Sequence, residues 1–203
     1  MINKNLLQSA IQKYYLSGRY NKVKWRIKDN TLTVYAGQSS RACKVVLKNF
    51  PLQDSELGIF DTDKLTRLLA ITSGDLMLTL QGQKELHNIL NIADPNFDLT
   101  YTLADPLIIG KVEWVNDPDS YEVELNLEKE DINHIIKAKS ALSESPNMLI
   151  TTKLDLDDIP ICEFVFGDMS GYANKITYKI QGNIIENNLS IPFDAEMIKD
   201  IFN

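Results

Sequence analysis

One decapeptide pattern recurs four times along the 203 residues, and it constrains the fold more than any other feature of the sequence. The stretch 60–69, Phe-Asp-Thr-Asp-Lys-Leu-Thr-Arg-Leu-Leu, reads apolar, capping acid, any, acid, any, aliphatic, any, any, apolar, apolar. Residues 127–136 (Leu127, Glu128, Glu130, Ile132, Ile135, Ile136) and 193–202 (Phe193, Asp194, Glu196, Ile198, Ile201, Phe202) repeat it, and residues 2–11 fit with Asn3 and Asn5 in place of the acids. Any strand running into a capped helix shares some of this pattern. Four occurrences at spacings of 58, 67 and 66 residues favour an internal pseudo-symmetry, with four helices that begin alike.

Period and punctuation fill in the elements between them. Leu7, Ala10, Ile11 and Tyr14 lie at i, i+3, i+4 and i+7, which predicts an amphipathic helix over 3–16 that stops at Ser17-Gly18. Alternation over Lys22–Lys28, a turn at Asp29-Asn30 and a run over Thr31–Tyr35 predict a β-hairpin. Further strands are predicted at 42–47, 57–60, 76–80, 86–92, 99–103, 121–127, 148–154, 161–166, 175–181 and 188–191, with helices at 61–72, 128–142 and 194–202. Residues 104–120, bracketed by Pro106 and Pro118 and without a clean period, read as an extended crossing. The expected organisation is an α+β chain with a first domain over 1–103, a connector over 104–120 and a second domain over 121–203. Two helices lie on one face of an antiparallel sheet in each half.

Charge is divided as unevenly as the pattern is regular. The chain carries −7 overall, yet residues 1–48 hold ten Lys and Arg against the single acid Asp29, a local +9 that leaves −16 for the rest. Such a chain repels polyanions over most of its surface and admits one at a chosen place. Cys43 and Cys162 form no CxxC, and with only two histidines neither a disulfide framework nor a zinc site is encoded. The sequence has no signal-peptide stretch and no run long enough to span a membrane, so a cytoplasmic location and no membrane partner are expected.

Chemistry-bearing motifs are absent. There is no GxGxxG or GxxxxGK loop, and His87 and His134 accompany no recognisable nucleophile motif. Asp155, Asp157 and Asp158 lack a histidine partner or an EF-hand glycine and read as an acidic strand end. The basic strand 22–28 with Trp25 suggests a stacking platform for single strands, but alternation puts Trp25 on the face opposite the lysines, favouring a core tryptophan and a solvated lysine face. No enzyme activity and no cofactor are expected.

The stretch Leu57–Ile71, followed by the strand Leu76–Leu80, resembles the first-domain core of the sliding clamps of T-even-type tailed bacteriophages, the processivity factors of their DNA polymerases. Residues Glu130–Ser140 resemble the basic helix that opens the second domain of those clamps. The resemblance covers nearly the whole chain through diffuse helix and strand patterns. It implies a DNA-clamp fold and a homotrimeric ring around double-stranded DNA, bound without regard to sequence. It also implies tethering of the replicative DNA polymerase and opening by an ATP-driven clamp loader, in host cytoplasm if the gene is a phage's. Clamps of this kind continue past the fourth helix into further strands, whereas this sequence ends at Asn203. Either the second domain is shortened or the sequence given is incomplete.

On a helical wheel with Leu7, Leu65, Ile132 and Ile198 toward the sheet, the opposite side carries Asn5, Ser9, Gln12, Lys13, Arg67, His134, Lys137 and Asp200. Lys4, Lys64, Lys139 and Lys199 flank it, and Arg19 and Lys22 follow in the loop after the first helix. In the resembled family these helices face the duplex, so Lys4, Lys13, Arg19, Lys22, Lys64, Arg67, His134, Lys137, Lys139 and Lys199 are the expected phosphate contacts. A solvated helix face has the same composition. The family's partner-peptide pocket lies near the crossing, where Leu107, Ile108, Ile109, Val112 and Trp114 are the candidates, packing under the connector being the other reading. A competing reading of another class is a non-enzymatic oligomeric structural or adaptor protein that binds protein partners only. A third, a metal-dependent enzyme, needs carboxylates converging in a cleft, which their spacing does not suggest.

Overall fold

The computed structural model describes residues 1–38, 41–83, 86–110, 119–167 and 174–202. In chain order the strands and helices are β1 (Ile2–Asn3), α1 (Lys4–Tyr15), β2 (Val23–Lys28), β3 (Thr31–Gln38), β4 (Arg41–Lys48), β5 (Ser55–Ile59), α2 (Thr62–Ala70), β6 (Asp75–Gln83), β7 (Leu86–Ala93) and β8 (Asp98–Thr102). Then come β9 (Val123–Glu124), α3 (Lys129–Ala141), β10 (Asn147–Leu154), β11 (Pro160–Gly167), β12 (Lys175–Gln181), β13 (Asn183–Ile184), β14 (Ser190–Asp194) and α4 (Ala195–Phe202). The chain divides into two units, Met1–Val115 and Asn116–Asn203.

Each helix starts at the position the repeat marks as its cap. The side chain of Asn3 accepts the Asn5 N–H (3.0 Å) and that of Asp61 accepts the Lys64 N–H (2.9 Å). Ahead of α3, Asp131 reaches back to the Glu128 N–H (2.8 Å), and Asp194 accepts the N–H groups of Glu196 and Met197 (3.0 and 3.1 Å). At α1, α2 and α4 the cap side chain fills orphan backbone donors, and at α3 the reciprocal arm of a capping box does so, each such cap being worth about 0.5–2 kcal/mol.

The first unit contains two four-stranded antiparallel sheets, in the orders β4-β3-β2-β5 and β1-β6-β7-β8. The hairpin β2–β3 turns at Asp29 and Asn30, both at positive φ (50° and 55°), as a tight two-residue turn requires. The predicted apolar stripe of α1, Leu7, Ala10, Ile11 and Tyr14, is buried against the sheet residues. Trp25 lies at the centre, edge-on to Phe50 (5.9 Å between ring centres), its indole N–H donating to the Tyr14 hydroxyl (3.2 Å). Helices α1 and α2 run antiparallel: Tyr15 at the end of α1 donates to Asp63 at the start of α2 (3.4 Å), and Lys4 at the start of α1 reaches the carbonyls that end α2. Gly58 is fixed by close approach, since a Cβ there would stand 2.4 Å from the Ala104 carbonyl oxygen.

The second unit repeats this plan in its first sheet, β12-β11-β10-β14, which matches β4-β3-β2-β5 strand for strand in chain order. Helices α3 and α4 also run antiparallel, Lys139 near the end of α3 bridging Glu196 at the start of α4. The other sheet differs. Val123–Glu124 pairs with Asn183–Ile184 as a two-stranded ribbon, so the strand predicted over 121–127 shrinks to two residues and its partner escaped the periodicity. A two-residue strand has no period to read. Beside this ribbon an apolar cavity of about 370 Å³ is lined by Tyr121, Val123, Leu125, Ile150, Ile191 and Phe193. Cys162 is buried in this unit's core, where burial raises its thiol pKa to about 11.

Candidate nucleic-acid interface

In the first unit the side of α1 away from the core exposes Asn5, Ser9, Gln12 and Lys13. On α2, Lys64 and Arg67 are exposed, and Arg67 is held by Asp63 one turn earlier (2.7 Å). Arg19 is exposed in the turn after α1. Lys22 is also exposed and stacks its ammonium 4.0 Å from the centre of the Phe60 ring. Asn5, Ser9, Gln12, Lys13, Lys64 and Arg67 are displayed on two short, capped helices that share one core.

In the second unit α3 exposes His134 and Lys137. The His134 ring packs against Tyr178 of β12 (5.2 Å between ring centres), with Nδ1 3.3 Å from the Tyr178 hydroxyl. That hydroxyl donates to Asp131 Oδ1 (2.7 Å). The bond from Tyr178, followed by the Glu128 N–H, holds the Asp131 carboxyl below its ordinary pKa. Nothing in the sequence marks Tyr178 beyond its place in the alternating run of β12.

Two of the expected phosphate contacts have other work. Lys139 is buried, its ammonium donating to the Ser143 carbonyl (2.8 Å) and bridging Glu196 (2.8 Å), so it joins α3 to α4 and presents no charge outward. The wheel placed it on the flank because it treats α3 alone, whereas the neighbouring helix covers that flank. Lys4 donates to the carbonyl of Ala70 (3.1 Å), the last residue of α2, and to that of Thr72 just beyond it, where a cation also opposes the negative end of the helix dipole. The Lys199 side chain lies outside the described residues.

The expected apolar pocket is likewise redistributed. Leu107 and Ile108 project outward from a single 3-10 turn, Pro106–Ile108, which Asp105 caps through the Leu107 N–H (2.8 Å). Ile109 is buried against Gly58 and, with Gly110, lines only a small recess of about 20 Å³ beside Lys24, Arg26 and Tyr35, so it belongs mainly to the packing of the first unit. Val112 and Trp114 lie outside the described residues. A cavity of about 370 Å³ opens instead beside Ile108, lined by Phe60, Lys64, Tyr101, Leu103 and Ala104. Phe60 occupies the apolar position of the repeat yet is exposed, because Tyr101 clamps the following residue: its hydroxyl accepts the Asp61 N–H (3.1 Å) and donates to the Asp61 carbonyl (3.0 Å).

Asp155 accepts the N–H groups of Asp157 and Ile159 (2.8 and 2.9 Å), a local turn at the end of β10. Among the described residues no cluster of three or more His, Cys, Asp or Glu is placed to hold a metal ion, and no helix is long and apolar enough to cross a membrane.

No protein-family model and no curated protein matches the sequence. Solved structures do match the fold. The PCNA of A. fulgidus, solved with the C-terminal region of FEN-1, superposes with a TM-score of 0.69 at 13% identity, over 99% of this chain and 80% of that one. The Helicobacter pylori beta clamp solved with 5-chloroisatin gives 0.65 at 13% identity. The same clamp bound to a DNA ligase peptide gives 0.61 at 12%. Each covers 99% of this chain, which spans 54% and 57% of the two beta-clamp chains, little more than half their length. Two units of like strand order, each with a pair of antiparallel helices, in an α+β chain that superposes on these proteins almost end to end, make this the DNA-clamp fold.

Proposed function

We propose that this chain is a sliding clamp, which closes with copies of itself into a ring around duplex DNA and tethers the replicative polymerase to it. Tethering acts by effective concentration: a polymerase that lets go of its primer end is held beside it and rebinds before it diffuses away. The observation that carries the reading is the repeated helix pair on the clamp fold. Its exposed sides are polar and basic at Asn5, Ser9, Gln12, Lys13, Lys64 and Arg67 in one unit and at His134 and Lys137 in the other. Long, hydrated side chains on helices meet phosphates without reading bases, which a protein that slides requires.

On this reading Lys13, Arg19, Lys22, Lys64, Arg67, His134 and Lys137 approach the phosphates, while Lys4 and Lys139 hold the helices that carry them. The ring is a homotrimer of the T-even phage type, and a clamp loader opens it. The partner peptide docks an apolar side chain in the cavity beside Phe60, Tyr101 and Ile108. The protein carries out no reaction of its own.

The test is retention on DNA of different topology. The protein is assembled on a nicked circular plasmid and passed through a sizing column at a salt concentration that removes electrostatic contacts. A ring stays with the circle and is lost once the plasmid is cut at a single site. An adaptor that binds only proteins shows no retention on either form, and equal retention on both contradicts encirclement.

A further inference from the structure

The histidine on the exposed side of α3 is backed by a chain of hydrogen bonds, and that chain decides when its outer nitrogen can donate. The Tyr178 hydroxyl donates to Asp131 Oδ1 (2.7 Å) and stands 3.3 Å from His134 Nδ1. A phenol has one proton to give. That proton is committed to Asp131: the bond to the carboxylate, followed by burial, raises the Tyr178 pKa, and the same bond keeps the Asp131 carboxyl ionised. The Tyr178 oxygen is left to accept, so Nδ1 carries the hydrogen between them. Asp131 is in turn fixed by the Glu128 N–H (2.8 Å), which anchors the chain Asp131–Tyr178–His134 in the backbone that starts α3.

A neutral imidazole carries one hydrogen. With it on Nδ1, Nε2 is a bare lone pair on an exposed ring, and among the described residues it has no partner. Phosphodiester oxygens only accept, so a bare Nε2 opposes them. Protonation adds the missing hydrogen and a positive charge in one step, and histidine is the side chain whose charge changes between about pH 5 and 8. Around the ring, α3 supplies Glu130 and Asp131 one turn earlier and Lys137 one turn later. From β12 comes Tyr178, while Lys175 and Lys179 lie on the opposite face of that strand. On α4, Glu196 pairs with Lys139, and the side chains of Lys199 and Asp200 lie outside the described residues.

We propose that Tyr178 is a positioning residue for the phosphate contact at His134: it fixes the neutral ring with its hydrogen on Nδ1, so that Nε2 donates to a phosphate only when the ring is protonated. This rests on the reading of α3 as a helix that meets duplex DNA. Lys137, one turn away, contributes a contact that does not depend on the tautomer, and His134 adds one that strengthens as pH falls.

The test reads the tautomer and the binding separately. In the intact chain labelled with 15N-histidine, NMR at about pH 8 is expected to show the His134 hydrogen on Nδ1 and a bare Nε2. In Tyr178→Phe, which keeps the ring contact (5.2 Å) and loses the hydroxyl, the hydrogen moves to Nε2. Affinity for a short blunt duplex, followed by anisotropy across a salt series, rises several-fold from about pH 8 to about pH 5.5, and log K against log salt steepens by about 0.9 for each His134 that takes up a phosphate. His134→Gln removes this pH dependence, and His87→Gln in the first unit leaves it. Tyr178→Phe shrinks it by raising affinity at the alkaline end, which a tyrosine that only packs does not do. Duplex binding without pH dependence, or a hydrogen already on Nε2 in the parent protein, overturns the proposal and leaves the clamp reading standing. Duplex binding at no pH overturns both.

Discussion

Lys139 separates a structural lysine from a DNA-binding one, and replacing it with methionine isolates the difference. Lys139→Met keeps an unbranched stem in a site where the side chain is 4% exposed, and removes the ammonium that donates to Ser143 (2.8 Å) and pairs with Glu196 (2.8 Å). Hydrogen bonds to charged groups contribute about 1.5–3 kcal/mol each. Glu196 is half exposed, so water takes over the carboxylate once its partner is gone, and the loss stays below the roughly 3–5 kcal/mol of breaking a fully buried pair. A net cost of about 2 kcal/mol follows, close to a 30-fold shift in the unfolding equilibrium. In a unit of this size it lowers the melting temperature by about 8–16 °C.

The assay is urea and thermal unfolding of the intact chain, with Lys137→Met two residues earlier as control. Lys139→Met destabilises the second unit and leaves the salt dependence of duplex binding as it was; Lys137→Met does the reverse. A double-mutant cycle with Glu196→Gln recovers the coupling between the pair. If Lys139→Met melts with the parent protein and binds duplex DNA as weakly as Lys137→Met, the assignment of Lys139 to the α3–α4 junction is wrong.

Reversing charge at Lys13 and Lys137 together flattens the dependence of log K on log salt for duplex DNA by about 0.9 for each phosphate no longer neutralised, read from a titration at several salt concentrations; an unchanged slope removes both residues from the interface. Tyr14→Phe leaves the buried Trp25 indole N–H without its acceptor and costs about 1–3 kcal/mol in urea unfolding, whereas a change under 0.5 kcal/mol means that the 3.2 Å bond contributes nothing. Tyr178→Phe removes the larger of the two hydrogen bonds that hold Asp131 below its ordinary value of 3.8, so a carboxyl titration by NMR records an upward shift. Because that folded-state pKa is depressed, the stabilisation is complete above the unfolded value and is lost as pH falls through the folded one; Tyr178→Phe shrinks this acid-labile part, and an unmoved titration contradicts the Tyr178–Asp131 bond.

The helix starts were legible because a cap is a local device. Asn3, Asp61 and Asp194 bond to backbone within three residues of themselves, and Asp131 closes the same loop for Glu128. The sheet strands of the first unit were legible for a similar reason, since Val23, Trp25 and Ile27 alternate against a single buried face. Tertiary neighbours decided what was missed. No wheel drawn on α3 alone shows that α4 covers Lys139, or that the end of α2 takes up Lys4. Ile109 looked like its neighbours Leu107 and Ile108 because adjacent apolar residues carry no period, and the close approach of Gly58 to Ala104 determines which of them turns inward. The ribbon of β9 and β13 is too short to leave an alternation. That Tyr35, Lys44 and Lys48 share a sheet face with Lys24, Arg26 and Lys28 is set by register across β2, β3 and β4, which no single strand shows.

The claim beneath all of this is that copies of the chain close on themselves. Native mass spectrometry of the intact protein at micromolar concentration tests it directly. The expected result is one closed species of three 23.1 kDa chains that does not grow with concentration. A lone chain at every concentration, or an open ladder of ever larger oligomers, contradicts it.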